Sequence, residues 1–211
     1  MTDEALLPLI GFAVVALVDW VAVARRIRLV EYVAKPLALV LLIDVALTID
    51  PIHPGQRAWF VGALVFGLIG DVLLMLPKQR FVEGLASFLL GHLCYIVGFA
   101  VAGTTLASAA IWIMVVLAIG IVAAWPLLQP VWREHRALFG PVLAYMGVIS
   151  IMAAFAGASG VLIALGGAVL FWISDYLIGW NKFVRAFPGA SLLVMVTYHL
   201  GQLGLVWSLT L

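Results

Sequence analysis

The sequence predicts an all-α fold, a polytopic transmembrane bundle of about eight helices. Three observations carry that prediction. The 211 residues are 66% hydrophobic and only 10% charged, whereas a soluble domain is nearer half apolar and a quarter charged. The apolar residues fall into runs long enough to cross a bilayer, which takes roughly 20 residues of helix. The basic residues gather in alternate connections between those runs.

The runs place spans at about 5–24, 34–50, 58–76, 84–103, 107–128, 138–157, 159–180 and 189–210. The second is the weakest, because Asp44 interrupts it and Asp50-Pro51 ends it early. Turn formers mark the connections: DPIHPGQR at 50–57, AGTT at 102–105, GASG at 157–160 and FPGAS at 187–191. Connections this short make successive helices antiparallel neighbours. No polar segment is long enough to fold alone, so residues 1–211 read as a single integral membrane domain. The first charges, Asp3 and Glu4, are acidic and the first apolar run continues to Ala24. A cleavable signal begins with a basic region and ends at a small-residue site, so the first run is expected to stay as a span.

Ten of the eleven Lys and Arg residues fall in the odd-to-even connections. Arg25, Arg26, Arg28 and Lys35 follow span one, and Lys78 and Arg80 follow span three. Arg133 and Arg136 follow span five, and Lys182 and Arg185 follow span seven, while Arg57 stands alone on the other side. Short cytoplasmic loops collect positive charge. This puts both termini outside the cytoplasm and the chain in a plasma membrane, the inner one in a bacterium. The net charge of +1 gives no surplus for nucleic acid. The single cysteine, Cys94, excludes an internal disulfide, a four-cysteine zinc site and an iron–sulfur cluster. It reads as a small buried hydrophobe.

Polar residues inside the spans are the candidates for chemistry, since an ionisable side chain there costs roughly 2.5–3.5 kcal/mol on insertion scales. Asp71 and Asp175 stand out. FGLIGDVLLMLPKQRF at 66–81 lines up, with gaps, with FWISDYLIGWNKF at 171–183. Each has an aromatic, a small residue directly before Asp, an apolar turn, then Lys and Phe, so the two carboxyls are expected at similar depth. The structural alternative is a helix staple or a pairing with Lys78 or Lys182.

Span four adds His92 and Tyr95, three apart and so on one helix face. Gly84, Ser87, Gly91 and Gly98 make a small-residue packing face there. Span eight adds Tyr198, His199 and Gln202, whose alternative role is interhelical hydrogen bonding. Lys35 opens span two and could snorkel to lipid headgroups. Asp44 has no matched partner. Asp19 lies where Arg25 or Arg26 could pair with it. No nucleophile elbow, zincin helix, phosphate loop or dinucleotide fingerprint occurs. No tight metal-ligand spacing occurs either, and no cofactor is expected.

Two carboxyls sharing a low-dielectric cavity do not both ionise readily. One stays protonated while the other carries charge, which suits a general acid and a general base or electrostatic stabiliser. Hydrolysis through an oxocarbenium-like transition state fits such a pair. A bundle cavity open to one leaflet suits an amphiphilic substrate.

Several blocks together are similar to the YhhN family of membrane proteins. They are Lys35-Pro36, GDVLL at 70–74, SFLLGHLCYI at 87–96, GAVLFWISDYLIGWNKF at 167–183 and VTYHLGQ at 196–202. They occur in family order over most of the chain; His199 is a departure, standing where the family more often has an aromatic. The resemblance implies a lysoplasmalogenase with about eight helices. Such an enzyme cleaves the vinyl ether bond of a lysophospholipid, releasing a fatty aldehyde and a glycerophospho-ethanolamine or -choline. It implies that Asp71 and Asp175 are catalytic. It also implies that Lys35, Ser87, His92, Tyr95, Ser174, Asn181, Tyr198 and Gln202 surround the substrate, with Lys35 at the phosphate. The rival reading is a transporter or lipid-binding protein that uses the buried carboxyls as a proton relay.

Overall fold

The computed structural model describes residues 3–76 and 80–211. Among them are eight α-helices and no strand: α1 (Asp3–Arg25), α2 (Arg28–Thr48), α3 (Pro54–Met75), α4 (Phe81–Val101), α5 (Leu106–Glu134), α6 (Arg136–Ala158), α7 (Leu162–Phe183) and α8 (Ala190–Trp207). A 3-10 turn, Ser208–Thr210, follows α8. Seven of these helices are long and apolar enough to cross a membrane, which makes the chain an integral membrane protein. The exception is α2: Glu31, Lys35 and Asp44 fall within any 18 consecutive residues of it.

Two boundaries differ from the sequence expectation. The first is the start of α2, which lies at Arg28, well before the apolar run. Val30 and Glu31 donate to the Ile27 carbonyl and close that polar first turn. The second is the end of α5, which runs on through Pro126 and Pro130 to Glu134, so that His135 alone separates it from α6. Membrane helices tolerate interior proline because neighbouring groups satisfy the freed carbonyls.

Sequential helices pack on one another except α4 and α5, whose neighbours are α3 and α6 for the one and α6 and α7 for the other, and seven of the helices close into a ring. Around it run α1, α2, α3, α4, α6, α7 and α8, with α8 returning to α1. α8 also leans inward onto α2 and α3. α5 lies outside the ring against α6, with a lesser contact to α7. Alternation of direction carries Arg25, Arg80, Arg136 and Lys182 to one end of the bundle, here the basic end. Arg57, at the opposite end, donates to the carbonyls of Leu47 and Ile49 and so caps α2.

The tightest crossing is α7 on α8. A Cβ on Gly167 would sit 2.7 Å from the Leu205 nitrogen, and one on Gly201 would sit 2.8 Å from the Phe171 nitrogen. Small residues let membrane helices approach this closely. On α4, Gly84, Gly91 and Gly98 serve the same purpose against α3, where Gly91 lies under the Ala63 carbonyl. Gly201→Ala is therefore expected to cost about 1–3 kcal/mol by forcing backbone apart. Gly166→Ala, whose Cβ would meet nothing within 4 Å, should be neutral. Thermal unfolding of both variants in detergent checks this, and equal melting points would contradict the close crossing.

Candidate active site

Two polar clusters lie inside the ring. The first is built on an ion pair. α2 buries Ala34, Lys35, Ala38, Leu39 and Leu42 at helical spacing, and α3 buries Ala63, Leu64, Gly67, Gly70 and Asp71. The two stripes bring Lys35 Nζ to 2.9 Å from Asp71 Oδ1, with the side chains 8% and 2% exposed. The Tyr198 hydroxyl donates to Asp71 Oδ2 at 2.8 Å. Both carboxylate oxygens are thus satisfied, one by charge and one by a hydroxyl, as a buried carboxylate requires. The network continues: Gln202 Nε2 donates to the Tyr198 oxygen at 3.4 Å, and the Tyr95 hydroxyl donates to Gln202 Oε1. A Cβ on Gly67 would stand 3.2 Å from Gln202 Nε2 and 3.3 Å from the Tyr198 oxygen, so the bare glycine leaves this network room.

The second cluster centres on Asp175 of α7. The Tyr145 hydroxyl, on α6, donates to Asp175 Oδ2. His92 Nε2, on α4, lies 2.9 Å from the Tyr145 oxygen and 3.3 Å from Asp175 Oδ2. Tyr145 has one proton and spends it on Asp175, so His92 Nε2 carries a hydrogen and donates. Both contacts reach Oδ2. Among the described residues Asp175 Oδ1 has no hydrogen bond, and His92 Nδ1 is buried without one.

Aromatic rings stand between the clusters. Phe171 packs edge-on against His92 (centroids 4.8 Å apart) and against Tyr198 (5.2 Å). Phe88 meets Tyr198 at 6.0 Å. Asp71 and Asp175 act on one another electrostatically, but among the described residues no hydrogen bond joins them. The two carboxyls differ in access. Asp71 is sealed at 1% exposure, while Asp175 lines a narrow apolar slot of about 50 Å3. Phe88, Val142, Met146, Trp172 and Phe183 form much of its wall. Leu74, Phe81 and Ile178 also line a second chamber of about 440 Å3 at the basic end, together with Lys35, Asn181 and Lys182. The two cavities share these three residues as walls, so the apolar slot lies next to a charged chamber. Lys182 Nζ lies 4.4 Å from the centre of the Phe81 ring, where the two meet.

The residues singled out in the sequence separate into these clusters and a few outliers. Asp71, Lys35, Tyr95, Tyr198 and Gln202 fall in the first cluster, and Asp175 and His92 in the second. Asn181 lines the mouth. Ser87 and Ser174 instead tie helices together, donating to the Phe66 carbonyl at 2.6 Å and the Val194 carbonyl at 3.0 Å. His199 lies apart: Trp20 Nε1 donates to its Nδ1 at 3.0 Å, which fastens α1 to α8. Lys78 lies outside the described residues. Asp19 does not pair with Arg25 or Arg26; both its oxygens are buried, and neither has a partner among the described residues. Tyr145 is the participant that motif reasoning missed. Its only signal was a hydroxyl in mid-span, in LAYMG, with no second polar residue nearby to mark it.

With this geometry established, comparison with known proteins is informative. The YhhN family model matches residues 30–209. The chain belongs to the YhhN family. Among its relatives is the lysoplasmalogenase TMEM86B of Homo sapiens, 34% identical over 150 residues, covering 71% of this chain and 62% of the relative. The lysoplasmalogenase TMEM86B of Mus musculus is 31% identical over 166 residues, 73% of this chain and 65% of its own length. The YhhN membrane protein of Escherichia coli O157:H7 is 28% identical over 213 residues, 95% of this chain and 99% of the relative. This chain thus spans a little under two thirds of the length of the mammalian relatives it matches. No solved structure matches it.

Family membership and the buried ion pair together make a stability prediction. Lys35→Met leaves the Asp71 carboxylate buried beside Tyr198 alone and is expected to cost about 3–5 kcal/mol. Lys35→Met with Asp71→Leu removes both charges and should recover most of that loss. Thermal unfolding of the single and double variants checks it.

Proposed function

We propose that this protein is a membrane hydrolase that cleaves the vinyl ether bond of lysoplasmalogens. The observation that carries the reading is the position of Asp175, a carboxyl in the wall of an apolar slot that lies next to a charged chamber. A single-chain amphiphile suits that pairing of surfaces, with the start of its hydrocarbon at the slot and its phosphate at Lys182 and Asn181. Curated relatives that carry the name lysoplasmalogenase support the choice of reaction. The unbroken courses of α3 and α7 through their aspartates support a fixed site over the alternating access of a transporter.

In this reading Asp175 is the general acid. Its Oδ2 is occupied by Tyr145 and His92, which leaves Oδ1 to carry the proton toward the slot. Transfer of that proton to the β-carbon of the vinyl ether converts the double bond to an oxocarbenium ion. Water adds to the cationic carbon and returns a proton to Asp175. The hemiacetal then collapses to a fatty aldehyde and the glycerol hydroxyl. Asp71, ionised beside Lys35, stabilises the cation electrostatically through the low-dielectric interior. The basic end faces the cytoplasm of a plasma membrane, by the charge rule.

The test is release of free fatty aldehyde from a lysoplasmenyl lipid by purified protein, against a detergent blank. Asp175→Asn should abolish release, a loss of roughly 10²–10⁴-fold for a general acid. Tyr145→Phe removes one charge-assisted hydrogen bond and should reduce kcat by about 10–100-fold while the protein stays folded. Absence of aldehyde with the native protein sinks the reading. Val142→Trp, which fills the slot wall, should depress turnover of long chains more than short ones. Equal losses at all chain lengths would place the hydrocarbon elsewhere.

A further inference from the structure

One ionisable group inside the bundle has no part in that chemistry. Asp19, on α1, is completely enclosed, and neither of its oxygens has a hydrogen-bond partner among the described residues. Burying a polar group in this state is costly. The family match begins at residue 30, so α1 lies outside it. The surroundings of Asp19 are specific. Of the charges around it, Lys35 acts on it most strongly, followed by Glu31 and Asp71. Val23, one turn further along α1, lines the mouth chamber together with Lys35. α2 packs on both α1 and α3, and Lys35 on it acts electrostatically on Asp19 and on Asp71 alike.

Lys35 is suited to such a position. Its ammonium has three donors on a flexible four-carbon stem, and its one ion-pair contact among the described residues is with Asp71 Oδ1, at 2.9 Å. Glu31, one turn earlier on α2, is half-buried and lines the mouth chamber, where water can serve it. We infer that Lys35 has two carboxylate seats, Asp71 and Asp19, and that Asp19 receives the ammonium whenever Asp71 gives it up. Asp19 is then a positioning residue acting through Lys35. It keeps the cation compensated inside the bundle while Asp71 changes its partner or its protonation. The inference stands independently of the reaction proposed above, because it concerns where one buried cation rests.

The experiment is a mutant cycle read by thermal melting in detergent, with no assay of activity. Asp19→Asn alone leaves Lys35 on Asp71, and Asp71→Asn alone lets it move to Asp19, so each should lower the melting temperature by only a few degrees. Asp19→Asn with Asp71→Asn strands the ammonium, and the loss should exceed the sum of the singles by on the order of 10 °C. Adding Lys35→Met to the double variant should restore most of it. A double variant too unstable to purify, but recovered by Lys35→Met, supports the inference equally. Additive losses, or a double variant that Lys35→Met does not recover, overturn it. A purely structural Asp19 would show the same loss whether residue 35 is Lys or Met.

Discussion

The Lys35–Asp71 ion pair is the constraint around which the rest of the interior is arranged. A lone charge in the middle of an apolar bundle is expensive, and the pair is tolerable only because it is complete. Its demands reach several helices. Lys35 needs α2 to carry a lone charge inward on a buried stripe that is otherwise apolar. Asp71 needs a hydroxyl from α8 for its second oxygen, and Tyr198 supplies it. Tyr198 in turn is held by Gln202, and Gln202 by Tyr95 of α4. The inward lean of α8 onto α2 and α3 is the packing counterpart of this network, and the glycines of the α7–α8 crossing make that lean sterically feasible.

The same constraint separates the roles of the two aspartates. Asp71 has both oxygens engaged and is almost completely buried. Asp175 has one oxygen held, the other without a hydrogen bond among the described residues, and a place in the wall of a cavity, which is the freedom the proposed acid needs. Phe88 and Phe171 keep the two environments distinct while leaving them within electrostatic reach. The paired-aspartate pattern in the sequence is thus a pair of unlike sites, not two halves of one carboxyl dyad.

Much of this was legible in the sequence, for physical reasons. Membrane spans are long uniform signals, so seven helices followed from apolar length, and the alternation of basic connections supported the weaker α2 as the eighth. Charge is rare enough in such helices that Asp71 and Asp175 stood out at once, whereas Lys35, at the start of its span, read as a snorkelling side chain and is instead buried against Asp71. What escaped were choices that depend on rotation about helix axes. Nothing in their local context distinguishes Ser87 and Ser174, which bond backbone carbonyls, from serines that would face a ligand. Tyr145 could not be found from a partner in its own span, because its partners lie on α4 and α7. The proximity of Asp19 to Lys35 rather than to Arg25 is likewise a matter of which face α1 presents to α2. The start of α2 was hidden for another reason: its first turn is polar, and apolar length does not register a polar helix.

α5 lies outside the ring, and the slot beside Asp175 is closed on that side by its Leu127. The fit is close: a Cβ on Gly179 of α7 would stand 2.7 Å from Leu127 Cδ1. This wall is one helix thick and stands outside the ring that links the other seven helices, held by its contacts with α6 and α7. α5 turns most of its surface away from the bundle, so a single helix separates the slot from what surrounds the protein, while the charged chamber lies at the basic end. One carboxyl thus has a thin apolar wall on one side and a charged chamber on another.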